Sequence, residues 1–244
     1  MSIPAVECSR PVCVRVPNPD CPFNIGGTCF VIRFRSRLWG VTAKHVLTNL
    51  GIHPNQVLIP YTVGGYHFFP ISDAATFENY PDDSDCTDIV LFEIDEAHIE
   101  REYFDPNTVY DLDVEEQFTI SGEMLLAVHG FPTALNTVDH YGQALIMQRL
   151  SIAGHFGGSS SMTGCREVDL LSDGGINSHD GFSGCPIFVA SSEFGQPTPS
   201  KLIGINLRGS AARLKKHYLD VIALKHLVDY HIEQTARRNL ASGA

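Results

Sequence analysis

Three short stretches of this sequence carry residue types that, brought together, would arm a hydroxyl nucleophile. The first is Gly181-Phe182-Ser183-Gly184-Cys185-Pro186, set between polar Asn177-Ser178-His179-Asp180 and apolar Ile187-Phe188-Val189-Ala190. A serine between glycines at such a corner can present its hydroxyl, because glycine reaches backbone conformations closed to other residues. The same freedom lets the N–H groups of Gly181 and Ser183 face a cavity, where they would bind the oxyanion formed by attack on a carbonyl. A protonated hydroxyl is a poor nucleophile and needs a base within reach. His45, which follows Val41-Thr42-Ala43-Lys44, offers an imidazole that can take and return a proton near neutral pH. Asp88 opens the apolar run Ile89-Val90-Leu91-Phe92 and offers a carboxylate to fix the imidazole tautomer. Asp82, Asp83 and Asp85 lie close by, but only Asp88 directly precedes that run. A glycine-flanked serine alone is common in turns; the weight comes from the three stretches jointly. Cys185 is the other nucleophile within the first stretch, two residues past the glycine-flanked position.

With these residues in view, the chain resembles the chymotrypsin/trypsin-like serine peptidases. Thr42-Ala43-Lys44-His45-Val46 is similar to their T-A-x-H histidine motif, Asp88-Ile89-Val90-Leu91 to their D-I-x-L aspartate motif, and Gly181 to Pro186 to their G-D-S-G-G-P serine motif. The motifs occur in the family's order and the resemblance covers roughly Gly26 to the C-terminus. It implies an all-β architecture of two six-stranded Greek-key β-barrels packed around a cleft, here with a C-terminal α-helix. It also implies a serine endopeptidase working through an acyl-enzyme, with His45 as general base and acid, Asp88 orienting it, and Ser183 attacking. By the same resemblance Asn177 would floor the primary specificity pocket, with Ser178 and Asp180 at a polar rim. Leu207-Arg208-Gly209 would be the edge that pairs with substrate backbone as an added strand. A neutral Asn177 does not favour Arg or Lys side chains, and Arg208 would favour an acidic one. Two positions depart from the pattern. Phe182 stands where secreted zymogens place the aspartate that pairs with a new amino terminus, so Ile25-Gly26-Gly27 is not expected to act as that terminus. Cys185 stands where the family has a second glycine.

Composition narrows the setting. The 244 residues include 14 prolines and 21 glycines, which suits many short strands and turns. The formal net charge is −11, which argues against nucleic acid or an anionic membrane as partner, since both need a positive face. That balance leaves room for a local basic patch around Arg208, Arg213, Lys215 and Lys216. No run approaches the ~20 apolar residues of a membrane span. The first twenty residues lack the apolar core of a signal peptide, so a cytoplasmic location is expected. Seven cysteines with no C-x-x-C fit reduced thiols in a reducing compartment. Without H-E-x-x-H or paired C-x-x-C, no metal and no cofactor is expected.

Along the chain, residues 1–24 read as a proline-rich arm, with Val12 to Val16 as an edge strand. Residues 25–117 read as a first β-barrel carrying the histidine and aspartate. Gly26-Gly27-Thr28 is its entry turn, Cys29–Arg35 and Arg37–Thr42 form a hairpin, Gln56–Ile71 holds two more strands, and 98–117 is an acidic connector. Residues 118–222 read as a second barrel carrying the serine, with strands at Met124–Pro132, Gln143–Ile152, Val168–Leu171 and Lys201–Leu207. Residues 223–244 read as a helix and tail, from the helical spacing of Leu224, Leu227, Val228 and Ile232. An unrestrained cytoplasmic protease would be hazardous, so a restricted protein or peptide substrate and a regulatory partner are expected. A catalytically inactive, protease-like peptide-binding module is the reading of a different class, and an esterase a third.

Overall fold

In the computed structural model the hairpin Cys29–Thr42 turns at Arg35-Ser36, both in the left-handed region (φ 54° and 56°). That pair of positive angles matches the twist of the flanking strands. The Asp113 carboxylate holds the turn by accepting from the N–H groups of Arg35 and Ser36, each at 2.9 Å. The structure describes residues 5–17, 22–77, 87–113, 120–122, 124–139, 144–190 and 201–242. The acidic loop around Asp82, Asp83 and Asp85 lies outside them.

The first half of the chain supplies β1 (Ser9–Arg15), β2 (Phe23–Phe34), β3 (Arg37–Ala43), β4 (Val57–Leu58), β5 (Ile71–Thr76), β6 (Ile89–Ile94) and β7 (Tyr110–Asp111), with helix α1 (Lys44–Thr48) after β3. These strands form a sheet in the order β4-β1-β2-β3-β6-β5, with β7 beside β2. Among the described residues it is an open sheet of seven strands, not the closed six-stranded barrel expected. Two further expectations change. The N-terminal arm is more than an edge: β1 lies between β4 and β2, with Val12, Cys13 and Val14 buried. Gly26-Gly27 is strand interior, for β2 runs through it and pairs Ile25 with Cys13. Beside Pro11 the sequence shows only the later part of β1, from Val12, but Pro11 keeps a strand conformation opposite Thr28.

The second half supplies β8 (Leu125–Gly130), β9 (Thr137–Asp139), β10 (Ala144–Ile146), β11 (Leu150–Ser159), β12 (Cys165–Leu170), β13 (Pro186–Val189), β14 (Leu202–Ser210) and β15 (Lys215–Asp220), then helix α2 (Val221–Ser242). Six of them close into a barrel in the order β11-β12-β15-β14-β13-β8. Its interior is lined by alternate residues such as Leu126, Val128, Ile152, Val168, Ile187 and Ile203, with Phe182 among them. Helix α2 turns back onto the first sheet. Leu224, Leu227 and Val228 join its core beside Phe34, Leu38 and Trp39, and Arg35 pairs with Asp229 at 2.7 Å. Among the described residues no helix is long and apolar enough to cross a membrane. The five described cysteines, Cys8, Cys13, Cys29, Cys165 and Cys185, are buried.

Candidate active site

His45 owes its position to Asp88. The register of β3 and β6 pairs Ala43 with Ile89, so the residues just beyond those two, His45 and Asp88, meet at one end of the sheet. Helix α1 has no side-chain cap of its own at Ala43, and a helix start leaves N–H groups unpaired. Asp88 supplies the acceptors from the neighbouring strand. Its carbonyl accepts from Lys44 N–H at 3.1 Å, and its Oδ1 accepts from His45 N–H at 2.9 Å. Its Oδ2 lies 2.7 Å from His45 Nδ1. The carboxylate therefore grips both backbone and ring of the same residue. In the tautomer this favours, Nδ1–H donates to Asp88 and the Nε2 lone pair is left bare. The Arg208 guanidinium approaches the same carboxylate, with Nη2 3.8 Å from Oδ2. Arg208, read from the sequence as a specificity residue, is thus oriented toward Asp88.

Ser183 sits on a corner clamped from both halves. From β14, Asn206 accepts from Gly184 N–H at 2.8 Å, donates its own N–H to Cys185 O at 2.8 Å, and donates Nδ2–H to Phe182 O at 2.9 Å. From β2, Thr28 N–H donates to Ser183 O at 3.2 Å. The Thr28 hydroxyl donates to Gly181 O at 2.6 Å and accepts from Phe131 N–H at 2.8 Å. Thr42, three residues before His45, donates its hydroxyl to Thr28 O at 2.7 Å. Gly184 has φ 83°, and a Cβ there would fall 2.2 Å from Thr28 O and 2.9 Å from Ala43 N. Only glycine permits the corner to press this closely on the strand that leads into His45. Sequence reasoning missed Thr28, Thr42 and Asn206, because a small polar residue in a strand carries no local sign of its tertiary partner.

The N–H groups around the corner divide cleanly. Those of Phe182, Gly184 and Cys185 donate to backbone carbonyls, and that of Asp180 to Ser178 Oγ. Among the described residues, the N–H groups of Gly181 and Ser183 donate to nothing. Gly181 has φ 91°, a conformation an L side chain rarely adopts. Among the described residues the Ser183 hydroxyl makes no hydrogen bond to His45. Hydrogen bonds of this kind are often long without substrate and tighten in its presence.

The remaining residues read from the sequence fall as follows. Asn177 and Asp180 are exposed and Ser178 half-buried. In β14, Leu207 is buried, while Arg208 and Gly209 are exposed. Strand β13 pairs with β14 only as far as Ile205. Beyond it, Arg208, Gly209 and Ser210 pair with β15 on one side, and no described strand covers the other. A cleft of about 820 Å³ is lined by Arg208, Gly209 and Ser210 together with Glu167, Lys215 and His217 on the β15 side. Cys185 is fully buried, and burial pushes its thiol up to about 12. A thiol held protonated is no nucleophile. Phe182 is also fully buried, an apolar residue packed into the second barrel.

The basic patch read at Arg208, Arg213, Lys215 and Lys216 is not a free positive surface. Lys215 bonds Glu167 at 2.6 Å and lies 3.5 Å from Asp169. Lys216 is buried on β15, a strand the sequence reading did not find. Among the described residues, no group of three or more His, Cys, Asp or Glu side chains is placed to hold a metal ion. No protein-family model matches the chain, and no curated protein matches it.

Proposed function

We propose that the chain is a serine endopeptidase of the chymotrypsin/trypsin-like kind, with the open first sheet acting as partner to the closed barrel across the cleft. The observation that carries this reading is the two-point grip of Asp88 on His45, backbone and ring together, beside a serine corner with two unengaged N–H groups. In this reading, His45 Nε2 takes the Ser183 proton as Oγ attacks a peptide carbonyl. The oxygen, now negative, is received by the N–H groups of Gly181 and Ser183. The imidazolium, stabilised by Asp88, returns the proton to the leaving amine, and water completes hydrolysis of the acyl-enzyme. The substrate lies as an added strand along Leu207, Arg208 and Gly209, above Asn177, Ser178 and Asp180. Its natural substrates are a narrow set of proteins, and a regulatory partner gates access.

A small fluorophosphonate that reacts with activated serines tests the proposal. It is expected to add covalently to Ser183, with labelling abolished in Ser183→Ala and strongly slowed in His45→Ala. The second reading, a peptide-binding module without catalysis, draws on the missing hydrogen bond between Ser183 and His45. Folded protein that binds peptides yet resists the fluorophosphonate would establish it in place of the peptidase.

A further inference from the structure

Two cations lie deep inside this protein, Arg10 and Lys216, each 1 % exposed. Burying a charge is costly unless partners offset it. Arg10 is caged by carbonyl oxygens: it donates to Tyr61 at 3.1 Å, Ser9 at 3.0 Å, Thr108 at 3.4 Å and, more closely, Glu7. Lys216 has no such cage. Among the described residues its ammonium makes no hydrogen bond and no ion pair. Its directed contact is with the Phe182 ring, whose centroid lies 4.5 Å from Nζ.

The course of the side chain shows where this charge is delivered. Lys216 pairs with Gly209 across β15 and β14. A Cβ at residue 209 would meet Lys216 Cδ at 2.4 Å and Cε at 3.2 Å, so the lysine stem occupies the space a side chain there would need. It runs from the open edge of β14 toward Phe182, the residue before Ser183. A buried polar atom without a hydrogen-bond partner stands at the same ring. His179 Nε2 bonds Asp173 O at 3.1 Å, its Nδ1 has no partner, and its ring centroid is 5.5 Å from that of Phe182. The nearby carboxylate, Asp180, is exposed and forms no ion pair with Lys216 among the described residues. The other cation at this edge, Arg208, is turned to Asp88.

We infer that Lys216 is the specificity-determining residue of the proposed peptidase site, its ammonium binding the carboxylate of an Asp or Glu side chain on the substrate residue whose carbonyl Ser183 attacks. The assignment rests on Ser183 being the nucleophile. The substrate then supplies the polar partner that the fold withholds from Lys216 and grants to Arg10.

Peptidyl diphenyl phosphonates, which add to activated serines, can test this with the full chain. Four probes would share one peptide sequence and differ only at the reacting residue: Glu, Gln, Lys or Leu. The adduct on Ser183 is followed by intact mass. The Glu probe is expected to label at least about 10-fold faster than its isostere Gln, the scale of a charge-assisted hydrogen bond. Lys216→Met should bring that ratio near one, and Lys216→Arg should keep Glu ahead. The fluorophosphonate, with no peptide side chain, reports the nucleophile separately. If it fails on the folded wild-type protein, the peptidase reading and this assignment fall together. If it labels Ser183 but Glu gains nothing over Gln, only the specificity assignment is overturned. It is also overturned if Lys216→Met keeps the preference for Glu. Because the wild-type ratio is itself decisive, a variant that does not fold leaves the test intact.

Discussion

Replacing Lys216 with Met should make this protein more stable, and the gain should depend on pH in a defined direction. Burial depresses the Lys216 ammonium from the usual 10.5 to about 8. A difference of about 2.5 pKa units corresponds to roughly 3 kcal/mol of penalty for carrying the charge in the folded state. The Phe182 ring offsets part of it, on the order of 0.5–2 kcal/mol for a cation over an aromatic face. Methionine fills similar space without the charge, so Lys216→Met should gain about 1–3 kcal/mol at pH 7. The folded-state pKa lies below the unfolded one, so between about pH 8 and pH 10.5 the unfolded chain holds more protons. Wild-type stability therefore rises with pH across that window. The methionine variant has no such group, and its advantage should shrink over the same interval. Urea unfolding of both proteins at pH 7, 8.5 and 10 measures this. A variant less stable than wild type at pH 7, or a gap that holds constant to pH 10, would show that the lysine charge is not strained by burial.

Three further outcomes follow from the corner and its clamps. Asp88→Asn keeps an oxygen for the His45 N–H but replaces the carboxylate that faces Nδ1; fluorophosphonate labelling should fall by about 10³- to 10⁴-fold while circular dichroism stays unchanged. Gly184→Ala forces a Cβ against Thr28 O and Ala43 N at a positive φ; it should cost at least about 2 kcal/mol in urea unfolding and lose labelling, whereas wild-type labelling would refute the close approach. Thr28→Val leaves Gly181 O and Phe131 N–H without their hydroxyl partner; about 1–3 kcal/mol should be lost, with slower labelling, and Thr28→Ser should recover both.

Parts of this site could be read from residue order because their causes are local. An aspartate opening an apolar strand and a histidine closing its antiparallel neighbour meet wherever Ala43 pairs with Ile89. The glycine-flanked serine declares its corner through positive φ at Gly181 and Gly184. Lys216 hid inside a run of charge, Arg213-Leu214-Lys215-Lys216-His217, which reads as a solvated surface. The fold turns at Leu214 (φ 49°) and starts a strand at Lys215. Strand alternation then sends Lys215 outward to Glu167 and Lys216 inward. That turn was the missing signal. The proline-rich start let β1 be read only as an edge strand for a related reason: its two partners, β2 and β4, come from elsewhere in the chain, and proline counts against an interior strand only until tertiary pairing is known. Whether the first sheet closes depends on long-range contacts that no local pattern encodes.

The same contacts explain why two halves are needed to build the proposed reactive corner. His45 belongs to the first sheet and Ser183 to the second barrel, yet few atoms separate them along the hydrogen-bonded path. Ser183 O accepts from Thr28 N–H, Thr28 O accepts from the Thr42 hydroxyl, and Thr42 leads through Ala43 and Lys44 to His45. The Thr42–Thr28 bond is buried, and each bond uses backbone on at least one side, so the path has little rotamer freedom to lose. On the far side, Asn206 ties the corner to β14, the strand whose open edge would take a peptide. Ordering a peptide along that edge would act on Asn206 and on the corner it holds, bringing the Ser183 hydroxyl toward an imidazole already fixed by Asp88. On the proposed peptidase reading, catalytic alignment would then be completed by the substrate, a physical means of sparing proteins that do not fit.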